Sequence, residues 1–399
     1  MGMHKDQGPC GRGDCHQAPI LSYGHQVRIA HVSDCYLPRT GGIETQVRAL
    51  AMQQEMRGQQ VEIITATPGH LVRSGTEQID GIAVHRVTAR MPFSLPIHPR
   101  TRANVVATLK DSAVDLVHVH VGVVSPFAWG AVRAAHQLGL PVVVTVHGVW
   151  GPIAAPGYRL SDSLAHWSKW GTRISAVSNV AARRIEAAVP ALGRVAVLPN
   201  GIDPQQWELP VRSRDPRTLN LVTVMRLAPR KRTLPLLKIL RNARSQVGAS
   251  AHLHLRIVGD GPERTRAEAY AGQHGLDDLV TFTGRLDHAG IREIFGMSDV
   301  YVQPSVRESF GIAALEARCA GLPVVARSQT GTTEFIRDYL EGLLVDSDAD
   351  MANAIATLAT HRPLLEQLST FNRTHTPDQA WPSVLARVDH EYAIAAALG

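Results

Sequence analysis

Pro141-Val142-Val143-Val144-Thr145-Val146 carries valine at odd and even positions alike. Side chains alternate across a strand, so this run is apolar on both faces. Strands of that kind belong to parallel sheets covered by helices on both sides. The rest of the chain repeats the theme. Residues 27–32, 61–65, 116–119 and 174–177 read as further strands. Windows near 43–57, 125–138 and 179–188 read as helices, the first with Val47, Leu50 and Ala51 as its buried stripe. Alternation of this length predicts an α/β, doubly wound, Rossmann-like domain. Residues 197–203 close it, the polar stretch 204–217 reads as a linker, and the pattern then restarts. Strands are expected at 221–224, 253–258, 280–282, 300–302, 324–325 and 342–345, with helices from 233 and over 263–274. A last helix over 378–397 has Trp381, Leu385, Val388 and Tyr392 on one side. At 399 residues the chain is long enough for two such domains.

Composition removes several classes. Hydrophobic residues at 44%, with 19% charged, describe a soluble globular chain and not a disordered one. No run approaches the roughly 18 apolar residues a membrane span needs. Residues 1–18 lack the apolar core of a signal peptide, so residues 1–26 read as a disordered extension and the protein as cytoplasmic. Cys10, Cys15, Cys35 and Cys319 are then expected as reduced thiols. His4, Cys10, Cys15 and His16 lie close together but match no zinc-ligand spacing, so a plain tail is expected. Net charge is +5 over residues 1–210 and +1 over 211–399. A basic first half suits an anionic membrane surface or an acidic acceptor. Nucleic acid is not expected as a partner, since no stacking pattern or reading motif accompanies the charge.

Chemistry concentrates in residues 307–325. Pro304 ends a strand, and Gly311 opens a helical window with Ile312, Leu315 and Cys319 at 3–4 spacing. Gly321 falls where a C-cap belongs. Glu308 therefore precedes a helix N-terminus, and Glu316 sits a turn and a half into that helix. Carboxylates accept hydrogen bonds from sugar hydroxyls, while free amides around Phe310 and Gly311 attract phosphate. Two solvated surface charges are the plainer reading. Gly41-Gly42 follows the first strand, where an open sheet binds ligands, and admits a tight turn or a close approach to diphosphate. It is not the G-x-G-x-x-G fingerprint of a dehydrogenase. Arg226 and Lys231 follow the first strand of the second half, either as solvated loop charges or as cations facing a diphosphate.

Together these stretches resemble the group-1 (family 4) retaining glycosyltransferases of the GT-B fold, which have two facing Rossmann-like domains. The resemblance covers nearly all of residues 27–397. Its most specific part is Glu308-Ser309-Phe310-Gly311 with Glu316, the E-x7-E signature. Pro38 with Gly41-Gly42-Ile43-Glu44, Thr145-Val146-His147-Gly148, Pro199-Asn200-Gly201-Ile202-Asp203, Arg226 with Lys231, Gly259-Asp260-Gly261-Pro262, and Glu334 match in order. The resemblance implies an N-terminal acceptor-side domain over 27–205 and a C-terminal nucleotide-sugar-binding domain over 206–377. Residues 378–399 would form a helix crossing back onto the first domain. Glu316 would hold the donor's ribose hydroxyls and Glu308 those of its sugar. Ser309, Phe310 and Gly311 would meet the sugar or phosphate. Arg226 and Lys231 would stabilise the leaving diphosphate, which Gly41 and Gly42 would meet from the first domain. His147 would face the anomeric carbon, a satisfied core histidine being the alternative. Arg285 and Leu286 would border the nucleobase.

Three positions depart from the family: Met225 and Arg232 where glycine flanks the cation loop, and Thr332 in place of the second glycine of a pair. Asp346-Ser347-Asp348 spells a metal-binding D-x-D. It follows a strand and precedes a helix, so N-capping is expected and no metal or other cofactor beyond the donor itself. A nucleotide-sugar epimerase or hydrolase, or a non-catalytic sugar-nucleotide-binding protein, uses the same fold. Residues 91–100, an apolar loop broken by prolines and bounded by Arg90, Arg100 and Arg102, would dip into a bilayer interface at the inner membrane face, or pack on its own domain.

Overall fold

The computed structural model describes residues 27–39, 41–69, 72–88, 101–151, 154–211, 213 and 215–398. The tail over 1–26, with its cysteines and histidines, and the loop 91–100 lie outside the described residues. In the first sheet, β1 (Arg28–Ser33), β2 (Gln60–Thr65), β3 (Gly75–Ile79), β4 (Ile82–Arg86), β5 (Leu116–Val121), β6 (Val142–Val146), β7 (Arg173–Ala176) and β8 (Ala196–Val197) stand in the order β3-β4-β2-β1-β5-β6-β7-β8. Every pairing is parallel except β3 with β4. Among the described residues five α-helices connect these strands: α1 (Gly42–Met56), α2 (Thr101–Asp111), α3 (Pro126–Gln137), α4 (Ala154–Ala165) and α5 (Asn179–Ala188). The β3–β4 hairpin, α2 and α4 were not expected from periodicity. α4 buries none of its side chains, so it has no apolar stripe to announce it.

The second sheet is wholly parallel. β9 (Thr218–Val224), β10 (His252–Val258), β11 (Val280–Gly284), β12 (Val300–Gln303), β13 (Val324–Arg327) and β14 (Gly342–Val345) run in the order β11-β10-β9-β12-β13-β14. Its helices are α6 (Thr233–Val247), α7 (Arg264–Gln273), α8 (His288–Gly296), α9 (Ile312–Cys319), α10 (Asp348–Thr360) and α11 (Arg362–Thr374), followed by the C-terminal α12 (Trp381–Leu398). Strand order reverses between β1 and β5 and again between β9 and β12. Ligands of open α/β sheets bind outside the carboxyl ends of strands at such reversals.

The faces of the first sheet differ in chemistry. Ala30, Val32, Val117, Val119, Val142 and Val144 pack with α3 in one continuous apolar core. On the other face Ile29, Leu116 and Val143 pack against Trp381, Val384, Leu385 and Val388 of α12. Further along the same strands that face turns polar, with His31, His118, His120, Thr145 and Ser175 all buried. α12 thus belongs structurally to the first sheet although it follows the second in the chain. Its entry is tight: a Cβ on Gly201 would lie 2.3 Å from the Trp381 indole.

Candidate functional site

The segments that follow β9, β11 and β12 hold the expected second-domain residues, all in loops or short turns except Glu316, which lies in α9. After β12 the chain passes Glu308 and enters α9 through Gly311, whose φ of 94° is the left-handed conformation that glycine adopts without strain. Phe310 turns its ring into the core beside Phe335, with ring centroids 5.2 Å apart. This leaves the backbone amides of Phe310 and Gly311 with no hydrogen-bond partner among the described residues. A helix N-terminus open in this way attracts anions. Ser309 is half-buried in the same turn. Glu316, also half-buried, has no hydrogen-bond or ion-pair partner among the described residues, and burial pushes its carboxyl up to about 8.

Glu308 is engaged. Its Oε2 accepts from Lys231 Nζ at 2.5 Å and from Gln303 Nε2 at 2.9 Å. The structure therefore brings two of the expected residues into direct contact. Arg226 differs: its side chain is exposed and has no ion-pair partner among the described residues. Arg285 is exposed and Leu286 half-buried just past Gly284. That strand end is tied to the β10 loop by the Gly259 amide, which donates to the Gly284 carbonyl at 2.7 Å.

The departures at Arg232 and at the D-x-D prove to be one feature. Arg232 has a φ of 65°, the conformation for which glycine is favoured. Its guanidinium makes two bonds to Asp348, at 3.0 and 2.8 Å, and Arg327 pairs with the same carboxylate. The expected cap needs correcting. α10 is capped by Ser347, whose Oγ accepts from the Asp350 amide at 3.1 Å. Asp348 is the first helical residue and serves the two arginines, while Asp346 accepts from Ser328.

Across the cleft, Gly41 is the N-cap of α1 in extended conformation, and Gly42 is exposed with open space around it. His147 follows β6 and is half-buried. It bonds to another histidine of its own domain: His147 Nε2 lies 3.0 Å from His120 Nδ1. His120 Nε2 lies 2.9 Å from His31 Nδ1, and His31 Nε2 lies 2.6 Å from Gln54 Oε1. Sequence reasoning missed His31, Gln54, His118, His120 and Tyr392. One signal was present. His118 and His120 are two apart on β5, hence on one face, and the register sets His31 beside His118 and Thr145 beside His120. Sequence reasoning matched Glu334 without assigning it a role. Its carboxylate accepts from the Asn179 amide at 2.6 Å and from Asn179 Nδ2 at 3.0 Å, joining the second domain to the N-terminus of α5.

Two doubly wound domains face each other here. One presents an open helix N-terminus, a carboxylate without a partner among the described residues, an exposed arginine and a lysine paired with Glu308; the other presents a glycine pair and an imidazole. This is the GT-B architecture of the nucleotide-sugar glycosyltransferases. The chain belongs to the group-1, family 4 glycosyltransferases: the profile for glycosyl transferases group 1 matches residues 207–375, and that for glycosyltransferase family 4 matches residues 40–206. It is 29% identical over 389 residues to the phosphatidyl-myo-inositol mannosyltransferase of Mycobacterium leprae, covering 94% of this chain and 98% of that one. It is 28% identical over 355 residues to a GDP-mannose-dependent alpha-mannosyltransferase of Mycolicibacterium smegmatis, covering 84% of this chain and 88% of that one. The structure of Anabaena Alr3699/HepE in complex with UDP-glucose superposes with a TM-score of 0.68 at 18% identity, over 91% of this chain and 98% of that one. The last comparison speaks for the fold alone.

Proposed function

We propose that the protein transfers a hexosyl group from a nucleotide diphosphate sugar to a hydroxyl acceptor with retention at the anomeric carbon and without a metal ion. The observation that carries this reading is the unpartnered Glu316 carboxylate one turn beyond an open helix N-terminus. A carboxyl drawn out of water and without a partner is costly, and ribose hydroxyls would supply the missing donors. The diphosphate would lie against the Phe310 and Gly311 amides, with Arg226 and Lys231 taking up the charge that grows as the glycosidic bond breaks. Glu308, drawn to Lys231 in the free protein, would turn its second oxygen to the sugar. Arg226 and Lys231 supply positive charge at the diphosphate themselves, and Asp348 is already engaged by two arginines.

GDP-mannose is the first donor to test, since relatives are named for it, with UDP-glucose and UDP-N-acetylglucosamine beside it. The acceptor class is an inositol-like polyol or its lipid-linked form. In favour of a membrane-presented acceptor, at the inner face of the membrane, α4 exposes Leu160 and Leu164. No helix among the described residues is long and apolar enough to cross a membrane. Each donor is incubated with both acceptors, with and without EDTA, and the anomeric proton of the product is read by NMR. An α-linked product from an α-donor that survives EDTA is expected. An inverted product, or activity lost to EDTA and restored by magnesium, would overturn the reading. Sedimentation with liposomes of graded anionic content separates the acceptor forms. Binding that rises with anionic lipid and falls with salt is expected for the lipid-linked one.

A further inference from the structure

The hydrogen bonds beneath His147 do not stop at Gln54. Gln54 Nε2 lies 3.1 Å from the Tyr392 hydroxyl, which lies 2.8 Å from His118 Nδ1. His118 Nε2 lies 2.7 Å from Thr145 Oγ1, which lies 2.9 Å from Ser175 Oγ. Ser175 Oγ ends the chain at the Val144 carbonyl, 3.1 Å away.

That terminus sets the direction of every proton in the chain. A carbonyl only accepts, so Ser175 donates to Val144 and must itself accept from Thr145. The single Thr145 proton is then used, and His118 Nε2 must carry a hydrogen. A neutral His118 accepts at Nδ1 from Tyr392, so Gln54 must turn its NH2 group to Tyr392 and its carbonyl to His31. His31 then donates from Nε2 and accepts at Nδ1 from His120 Nε2. His120 accepts at Nδ1 from His147 Nε2. All three interior rings are at most a few per cent exposed. Burial holds His31 and His147 down at about 4 and His118 and His120 well below the ordinary imidazole range, as the neutral assignment requires.

We infer that Tyr392, Gln54, His31 and His120 are positioning residues that lock His147 as the Nε2–H tautomer, leaving Nδ1 as a bare acceptor toward the cleft for a hydroxyl of the bound sugar or acceptor. His147 Nδ1 has no partner among the described residues, which leaves it free for that contact. The substrate hydroxyl must therefore act as donor, and a ring in the other tautomer would present an N–H that it cannot satisfy in the same way. This inference rests on the glycosyltransferase reading only for its effect on rate; the tautomer itself is a property of the free protein.

His31, His118 and His120 bring nitrogen atoms within 4.8 Å of one another, a spacing open to a metal ion. All six of their ring nitrogens already have hydrogen-bond partners, however, so no lone pair is left for one.

The test labels histidine with 15N in the full chain and reads the two ring nitrogens of His147 by long-range 1H–15N correlation, with no substrate present. A protonated Nε2 and an unprotonated Nδ1 are expected in the unsubstituted protein. Tyr392→Phe frees Gln54 to turn over and is expected to mix both tautomers, as is Gln54→Leu, which removes the acceptor of His31. Gln54→Glu keeps that acceptor and is expected to restore the single tautomer, where a merely structural role would make a buried charge the worse replacement. In assays, Tyr392→Phe should lower kcat about tenfold, the weight of one buried hydrogen bond, with donor KM little changed. A His147 protonated at Nδ1 in the unsubstituted protein, one unchanged tautomer in both Tyr392→Phe and Gln54→Leu, or stoichiometric zinc in the purified chain would each overturn the inference. Loss of the expected tautomer change refutes the chain. Absence of transfer with an intact tautomer change refutes the glycosyltransferase reading instead.

Discussion

Glu316 is the residue on which pH acts most directly. Its folded pKa of about 8 stands above the ordinary value of 4.5, so between those two pH values the folded state binds a proton that the unfolded state has lost. Stability from this group is therefore full below about pH 4.5 and falls as pH rises to 8. Glu316→Gln should melt a few degrees above the unsubstituted protein at pH 9 and alongside it at pH 5, as scanning calorimetry would show. Nucleotide binding works in the opposite direction. Ribose hydroxyls favour the ionised carboxylate, so affinity for the nucleotide should rise from pH 6 to pH 8 with release of a proton, measured by titration calorimetry in buffers of different ionisation enthalpy. Glu316→Ala should weaken that affinity by about 1.5–3 kcal/mol, the usual range for a hydrogen bond to a charged group. Arg226 sits in the other regime. Exposed and unpaired, it does little for the folded state, and Arg226→Ala should cut kcat about a hundredfold while leaving the melting temperature in place. Lys231→Ala should share the kinetic loss and also release Glu308, so its donor KM should move more than that of Arg226→Ala.

Among the structural elements, the cation turn after β9 shows what a departure from family pattern requires. Arg232 occupies a left-handed position, and the pair with Asp348 at the start of α10 holds it there. Arg232→Ala loses the pair and keeps the strain; Arg232→Gly loses the pair and relieves it. The alanine variant should be the less stable by about 1 kcal/mol in urea unfolding. The order reverses only if the turn relaxes out of the left-handed region. Sequence made the α9 stretch legible because everything that defines it is local: a strand end, a glycine, a 3–4 stripe and two glutamates eight residues apart. It left the Asp348 pair illegible because the partners are 116 residues apart, and capping chemistry offered a nearer explanation for the same aspartate. Tyr392 was legible only as one member of an apolar stripe. Its hydroxyl meets Gln54 across 338 residues of chain, a separation over which no periodicity carries information.

For the molecule as a whole, the two domains are joined by two backbone crossings that run side by side. The Ile202 amide donates to the Gln379 carbonyl at 3.0 Å, and the Trp381 amide donates to the Ile202 carbonyl at 3.1 Å. Any closing of the cleft would turn about this double strap, and the Glu334–Asn179 contact is a further link between the domains that such a motion must keep or break. The α12 cover also sets an order of events in biosynthesis. A ribosome finishes the eight strands of the first domain well before the residues that cover their polar and apolar outer face are translated. The second domain, whose helices α6 to α11 all come before α12, can close its own core while still emerging. The first domain cannot, because Leu385, Val388 and Tyr392 are translated only after the whole second domain. A chain stopped after residue 378 should accordingly pellet or bind a hydrophobic dye strongly, and recover when a peptide spanning residues 379–399 is supplied in trans. The first half of this protein would then wait, unfinished, for a helix encoded beyond the second domain, and nascent chains stalled anywhere in the second half are the form that chaperones would have to hold.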